Sequence, residues 1–318
     1  MNNKFWVCKS EITQNPAFKT EHLKHIFAAL FKWLMHFLIF SLIFSTCIFI
    51  SFKYFPRFGI NILPTITINY LTATVLGSFS RMEVFSIIAI VEAPWFFMAV
   101  LTGMAFILTF LTFALSTQKV GVAMTVVSGK MSIILSVMVG FLFLAEPYNF
   151  AKIAGIVLAI IAFYLTNKSK TDQQIEKKYL FLPLLIFIGT GANDSLMKLS
   201  GVYFANRDEI LFLTATFFAA FVIGFVILLY KYYDKTLNIK YKDVFAGVLL
   251  GILNWFSTLF FIKGLFVLPI SFFVPLFNAA LVFIAAVTGY FFFGEKLSVM
   301  NRVGIALALL AIAVIALS

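Results

Sequence analysis

Charge is what this chain has least of. Only 12% of its 318 residues are Asp, Glu, Lys or Arg, roughly half of what a water-soluble domain uses to cover its surface. A soluble enzyme fold is excluded on that ground. Proline and glycine are also scarce, at 8 and 17, which excludes collagen-like repeats and disordered low-complexity segments. The two cysteines, Cys8 and Cys47, stand far apart and provide neither a disulfide framework nor a metal cluster. His22, His25 and His36 are the only histidines and all lie near the start. No Gly-rich phosphate loop, His-Glu-x-x-His or nucleophile elbow is present. These absences speak against an enzyme and against any cofactor or metal.

What is there is apolar. Hydrophobic residues make up 62% of the chain, 42 of them Phe, and the mean hydropathy is +1.03. The solvent such a chain needs is a lipid bilayer. A helix crosses the hydrocarbon with roughly 20 apolar residues, so ten crossings would use about 200. Apolar runs fall at about 34–53, 62–80, 94–116, 121–145, 150–166, 180–199, 209–230, 243–263, 268–293 and 298–317. Lipid offers the backbone no hydrogen-bond partner, and runs of this length without polar alternation are helices. The fold class predicted is all-α, a polytopic membrane protein with ten transmembrane helices. The formal charge of +11 is scattered between the runs. It reads as loop and interface anchors, with no nucleic-acid face.

The most polar linker, residues 167–179, divides the ten runs five and five. Sliding one half along the other by 149 places brings Gly140-Phe-Leu-Phe-Leu-Ala-Glu146 onto Gly289-Tyr-Phe-Phe-Phe-Gly-Glu295, and Gly155-Ile-Val-Leu-Ala onto Gly304-Ile-Ala-Leu-Ala. At a slightly different offset Lys53 falls on Lys198. The organisation expected is a basic polar leader at 1–33, a five-helix repeat at 34–166, the linker at 167–179 and a second repeat at 180–318. An odd number of crossings inverts the second repeat relative to the first, an architecture of carriers with a site near the bilayer midplane. The leader shows no apolar core or cleavage site of a signal peptide. With Met35 opening the first run, it reads as an extension or a misassigned start.

On these residues the chain resembles the EamA-type transporters of the drug/metabolite transporter superfamily. The resemblance covers roughly 35–318. It rests on the two five-helix repeats, on Phe143-Leu-Ala-Glu146 and Phe293-Gly-Glu295-Lys-Leu-Ser at the ends of the fourth and ninth runs, and on the Gly-rich runs that follow. Asn193-Asp-Ser-Leu-Met-Lys198 fits the family pattern of Asn followed five residues later by Lys, whereas Ile48 stands where the first run would carry that Asn. The resemblance implies a multi-pass carrier of the inner cell membrane. It would move small organic solutes such as metabolites, amino acids or drugs by alternating access, driven by a gradient, with no ATP hydrolysis of its own. Protons as coupling ion and a homodimer as assembly stay open. A lipid-linked sugar carrier or flippase is the alternative, and a membrane-embedded enzyme or sensor would need a catalytic cluster that is absent.

Two charges within the apolar runs are deep enough for their burial to demand a reason. Lys130, in Val127-Ser-Gly-Lys-Met-Ser132, is about ten positions into the fourth run, roughly 14 Å deep at about 1.5 Å per residue. A charge at the middle of a span costs roughly 2.5–3.5 kcal/mol and faces a partner, a cavity or water. It is either a structural lysine bonded to helix carbonyls or a cavity cation that meets an anionic solute group. Asp194 lies two-thirds along the sixth run, four residues before Lys198. It is either half of an intrahelical pair or the counter-ion of Lys130 across a cavity. The candidate solute site is therefore Lys130, Asn193 and Asp194, joined by Ser128. Asn278 belongs with them as the counterpart of Gly129 at the repeat offset, and Asn254 and Trp255 add polar groups at membrane depth. Glu146 and Glu295 are expected at the turns into the fifth and tenth helices, favouring the N-terminal turn of each.

Orientation is where charge and resemblance pull apart. With the N-terminus inside, the outside loops would carry thirteen Lys and Arg. The positive-inside rule then places both termini outside, while the resemblance implies both inside.

Overall fold

The structure, a computed structural model, describes residues 36–80, 90, 92–143, 150–168, 176–204, 209–234, 238–267 and 270–316. The leader, Glu146 and part of the 167–179 linker lie outside the described residues. Among those described there is no strand. Helix α1 runs over His36–Phe58, with Phe55–Phe58 tightened into a 3-10 turn that ends at Gly59 with φ 58°. Then follow α2 at Ile62–Phe79, α3 at Phe96–Lys119, α4a at Val122–Met131 and α4b at Ile133–Phe143. The rest are α5 at Phe150–Lys168, α6 at Leu182–Phe204, α7 at Glu209–Tyr233, α8 at Tyr241–Val267, α9 at Ile270–Phe293 and α10 at Val299–Ala316.

Every apolar run of the sequence thus contains helix. Seven helical stretches among the described residues are long and apolar enough to cross a membrane, in α1, α2, α3, the two halves of α4 together, α7, α8 and α9. Shorter apolar stretches lie at Ile153–Thr166, Leu182–Met197 and Val299–Ile315. The chain is an all-α protein with the make-up of a multi-pass membrane protein.

The fourth run departs from expectation. It is not one helix over 121–145 but two, interrupted at Ser132. The Ser132 amide bonds to the Gly129 carbonyl at 3.3 Å instead of reaching one residue further back, and its hydroxyl donates to the same carbonyl. A serine bonding back onto its own backbone bends a helix, and Gly129 supplies no side chain to hold the turn. The break falls two residues after Lys130.

Two apolar cores organise the bundle. One gathers the start of α1 with α4, α5, α9 and α10 around Leu42, Val127, Met131, Leu281 and Ile312. The other gathers the end of α1 with α2, α3, α7 and α8 around Phe52, Ile66, Tyr70, Phe217 and Trp255. Glycines set the closest crossings. A Cβ on Gly77 would stand 2.5 Å from Thr214 Oγ1, and one on Gly224 would stand 2.8 Å from Thr67 Oγ1. A Cβ on Gly155 would stand 2.5 Å from Ile315 Cγ1. One on Gly304 would meet the Thr166 hydroxyl. Small residues of this kind let backbones approach where lipid gives no hydrophobic force between helices.

At the end of the bundle where α2 and α8 begin, one carboxylate ties both helices. Asp243 is fully buried. It accepts from the Asn61 amide at 2.9 Å, from Asn61 Nδ2 at 3.1 Å and from the Lys240 amide at 2.9 Å. Reaching back to the residue three before it is what the acid of a capping box does.

Candidate functional site

The site is built where α4 breaks. Lys130 lies in the last turn of α4a, eight residues beyond its start and so about 12 Å along it. The break gives this lysine the carbonyl end of a short helix, where the aligned peptide dipoles favour a cation. Its ammonium also lies 5.4 Å from the centroid of the Phe277 ring on α9, a cation–π distance. Its side chain is half-buried. Sequence reasoning expected a cation needing a partner; the structure supplies a helix end and an aromatic face.

Asp194 on α6 is close enough for each charge to feel the other. The two are not in contact, since the ion pairs among the described residues join Lys53 to Glu295 and Lys178 to Glu176. The Ser132 hydroxyl at the break, which donates to the Gly129 carbonyl, also lies near the Asp194 carboxylate. Asp194 thus stands on α6, which packs against α4a, within electrostatic influence of Lys130 and without an ion pair to it. The alternative pairing with Lys198 falls on a side chain outside the described residues.

Asp194 is surrounded by protein at longer range, yet its side chain is exposed. The lipid face of α6 is marked by Phe181, Leu184, Leu185 and Ile188, all exposed large hydrophobics. At about 100° per residue Asp194 points roughly 130° away from that stripe. It therefore opens onto a space off that apolar stripe. A carboxylate exposed there needs water or a polar partner to meet it.

Around this space stand polar groups without partners. Asn193 is buried, and its Oδ1 has no hydrogen-bond donor. Thr190 Oγ1, one turn earlier on α6, is also buried and unbonded. Gly129 keeps the wall thin, since a Cβ there would lie 3.1 Å from the Phe113 ring and 3.5 Å from Thr190 Oγ1. Each such orphan costs roughly 1–3 kcal/mol unless water or a ligand satisfies it. Thr190 and the Ser132 break were not read from the sequence. Gly129 and Ser132 flanking Lys130 were the available signal for the break.

The remaining candidates have separate positions. Ser128 is fully buried and its hydroxyl donates to the Met124 carbonyl at 2.8 Å. Asn278 is buried and is next in sequence to Phe277, under Lys130. Asn254 is half-buried, and its carbonyl accepts from the Thr258 hydroxyl at 2.9 Å. Trp255 is 2% exposed and packs edge-on to Phe217 with ring centroids 6.2 Å apart. Closed in on all sides, it offers no surface to a solute and belongs to the second core. A separate fully buried amide, Asn69 on α2, has neither side-chain atom bonded. A groove of about 530 Å³ between α2, α3 and α7 is lined by Thr74, Ala99, Thr214, Ala219 and Val222 among others. It holds no charged group and is distinct from the Lys130 site.

Glu295 corrects the expectation most clearly. It does not favour the start of α10, which is capped by Ser298 and Asn301: the Asn301 amide donates to Ser298 Oγ at 3.2 Å, and Asn301 Oδ1 accepts from the Ser298 amide at 3.0 Å. Instead the Glu295 carboxylate accepts from the Val122 amide at 2.7 Å and the Ala123 amide at 3.3 Å, the first N–H groups of α4a. It also pairs with Lys53 Nζ at 3.0 Å. Packing explains this. The chain turns back after α9, with the Glu295 amide on the Gly289 carbonyl at 2.9 Å. That turn aims the carboxylate across the bundle and away from the helix that follows it.

No family model matches the chain. It is 26% identical over 292 residues to an uncharacterized protein of Haemophilus influenzae, a match that covers 87% of this chain and 96% of that one.

Proposed function

We propose that this chain is a gradient-driven carrier of small organic solutes, built from two inverted five-helix repeats that span the membrane ten times. The observation that carries the reading is the broken α4 with Lys130 at its end and, within its electrostatic influence, an exposed Asp194 on α6. Discontinuous helices at membrane depth are tolerated where they line a cavity, and carriers place solute sites at them.

The helix crossings support the repeat. Gly77 meets Thr214 while Gly224 meets Thr67, and one offset of 147 maps each member of the first contact onto the second. Gly155 meets Ile315 while Gly304 meets Thr166, and here the offset is 149, as in the sequence alignment. Reciprocal contacts of this form are what a two-fold axis produces. In both pairs the early part of one helix meets the late part of its counterpart, so the related helices run in opposite directions, as inversion requires.

The geometry suits a small solute with an anionic group for Lys130 and a cationic or donor group for Asp194 and Asn193 Oδ1. Opposite charges held apart, with unpartnered amide and hydroxyl oxygens beside them, complement a zwitterion better than a lipid-linked sugar. The test is a screen of zwitterionic, anionic and neutral solutes for thermal stabilisation of purified protein, followed by uptake into proteoliposomes. A bound solute raises the midpoint by mass action. In Lys130→Met, which keeps the bulk and loses the charge, that shift and the uptake should both disappear while the unliganded protein stays monodisperse. Full uptake in this variant would refute the assignment.

A further inference from the structure

The geometry points to a latch: Glu295, held by Lys53, positions the half-helix that carries Lys130 and closes one end of the solute cavity. This deepens the carrier reading and rests on it. Three elements converge on one buried carboxylate. Glu295 is 5% exposed, and it binds the first two amides of α4a and the Lys53 ammonium at the end of α1. Room for it is made by two glycines. A Cβ on Gly289 would lie 2.5 Å from Glu295 Oε2, and one on Gly121, whose φ is 121°, would lie 3.0 Å from the carboxylate. Tyr54 and Phe293 close over the pair with ring centroids 5.4 Å apart.

The two halves of α4 differ in how they are held. Residues 122–129 of α4a are all buried, and this half packs against α3, α5, α6, α9 and α10. Among the described residues α4b packs chiefly on α6, with Met138 and Leu142 exposed. The bundle is therefore closed around the end of α4a that Glu295 caps and looser beyond Ser132. The exposed Asp194 opens toward the α4b end. For the cavity to reach the other side of the membrane, α4a must separate from α9 and α1, and the bonds made by Glu295 are what must break first.

The test reads access rather than transport, so its outcome is separable from that of the carrier reading. A single cysteine at Asp194→Cys, in a chain whose Cys8 and Cys47 are replaced by Ser, is exposed to a membrane-impermeant thiol reagent from each side of oriented vesicles. With Glu295 intact, labelling should come from the α4b side. Glu295→Ala and Glu295→Gln should raise labelling from the Lys53 side at least tenfold. Gly289→Ala, which pushes the carboxylate aside and keeps both charges, should do the same and covers the case in which a charge variant fails to fold. Lys53→Met should have a smaller effect, because the amide bonds to α4a remain. The exchange of Lys53→Glu with Glu295→Lys should not restore closure, since an ammonium cannot accept from the α4a amides. Unchanged one-sided labelling in Glu295→Ala and Gly289→Ala, or full restoration by the exchange, would overturn the latch. Absence of transport for every solute in the unaltered protein would overturn the carrier reading and leave this measurement standing.

Discussion

Replacing Asp243 tests whether one buried carboxylate holds two helix starts together. The side chain is fully buried and satisfies the backbone amides of Asn61 and Lys240 and the side-chain amide of Asn61. Asn61 is the residue that precedes α2, so the same carboxylate fastens α2 to α8. Asp243→Ala removes the acceptor of two part-buried backbone N–H groups, each costing about 1–3 kcal/mol. Partial rescue by water brings the sum to about 3 kcal/mol. Asp243→Asn keeps Oδ1 for one amide but turns an NH2 toward two donors, and the cost is about 2 kcal/mol by the same reckoning. At the lower end of the usual conversion, about 2 °C per kcal/mol for a large domain, the expected falls in melting midpoint are about 6 °C and 4 °C. The assay is thermal unfolding in detergent, followed through reaction of the half-buried Cys47 with a fluorogenic maleimide in a chain whose Cys8 is replaced by Ser. A fall of less than about 2 °C for Asp243→Ala would show that the carboxylate is not holding these helices, and the order Ala worse than Asn is part of the claim.

Two further perturbations probe the packing. Gly77→Val and Gly224→Val should lower the midpoint by similar amounts, because each side chain would enter the other half's threonine at the same crossing; a large fall in one and none in the other would break the reciprocity that supports inverted repeats. The Ser45 and Ser257 hydroxyls lie 2.7 Å apart between α1 and α8, and a double-mutant cycle through alanine should give a coupling of about 0.6 kcal/mol, the average found for such bonds in membrane proteins, with a coupling near zero counting against a direct bond.

The helices and the two central charges were legible in the sequence because both signals are local. An apolar run twenty residues long has one stable conformation in lipid, and a lysine or aspartate inside it is visible as an interruption. That is why Lys130 and Asp194 could be singled out. The break at Ser132 was only half legible. Gly129 and Ser132 marked an unusual stretch, but whether a glycine and a serine bend a helix depends on what packs against them. Asp243 could not be read at all as a clasp, since Asn61 lies 182 positions away. Trp255 was misleading for the opposite reason. An indole beside an amide in an apolar run looks like a binding pair, and only the packing of Phe217 against it assigns it to the core.

Glu295 carries the physical lesson of this fold. An acid just before a helix is ordinarily read with the amides that follow it, because those are its nearest donors along the chain. In a bundle whose turns are only a few residues long, the amides of another helix at the same membrane face are as near in space. They also lack partners as completely as any others. The carboxylate goes to whichever N-terminus has no cap of its own. α10 begins with Ser298 and Asn301 and satisfies itself. α4a begins after Gly121, which has no side chain to offer as a cap. Its first amides would face the bundle interior unpaired without Glu295. The missing cap at Gly121 and the acid at Glu295 are thus two halves of one device. An engineered cap, Gly121→Asn or Gly121→Asp, would have to adopt the strained φ of that position and displace the carboxylate, so it should weaken closure where a helix-capping rule alone would have it strengthen the fold.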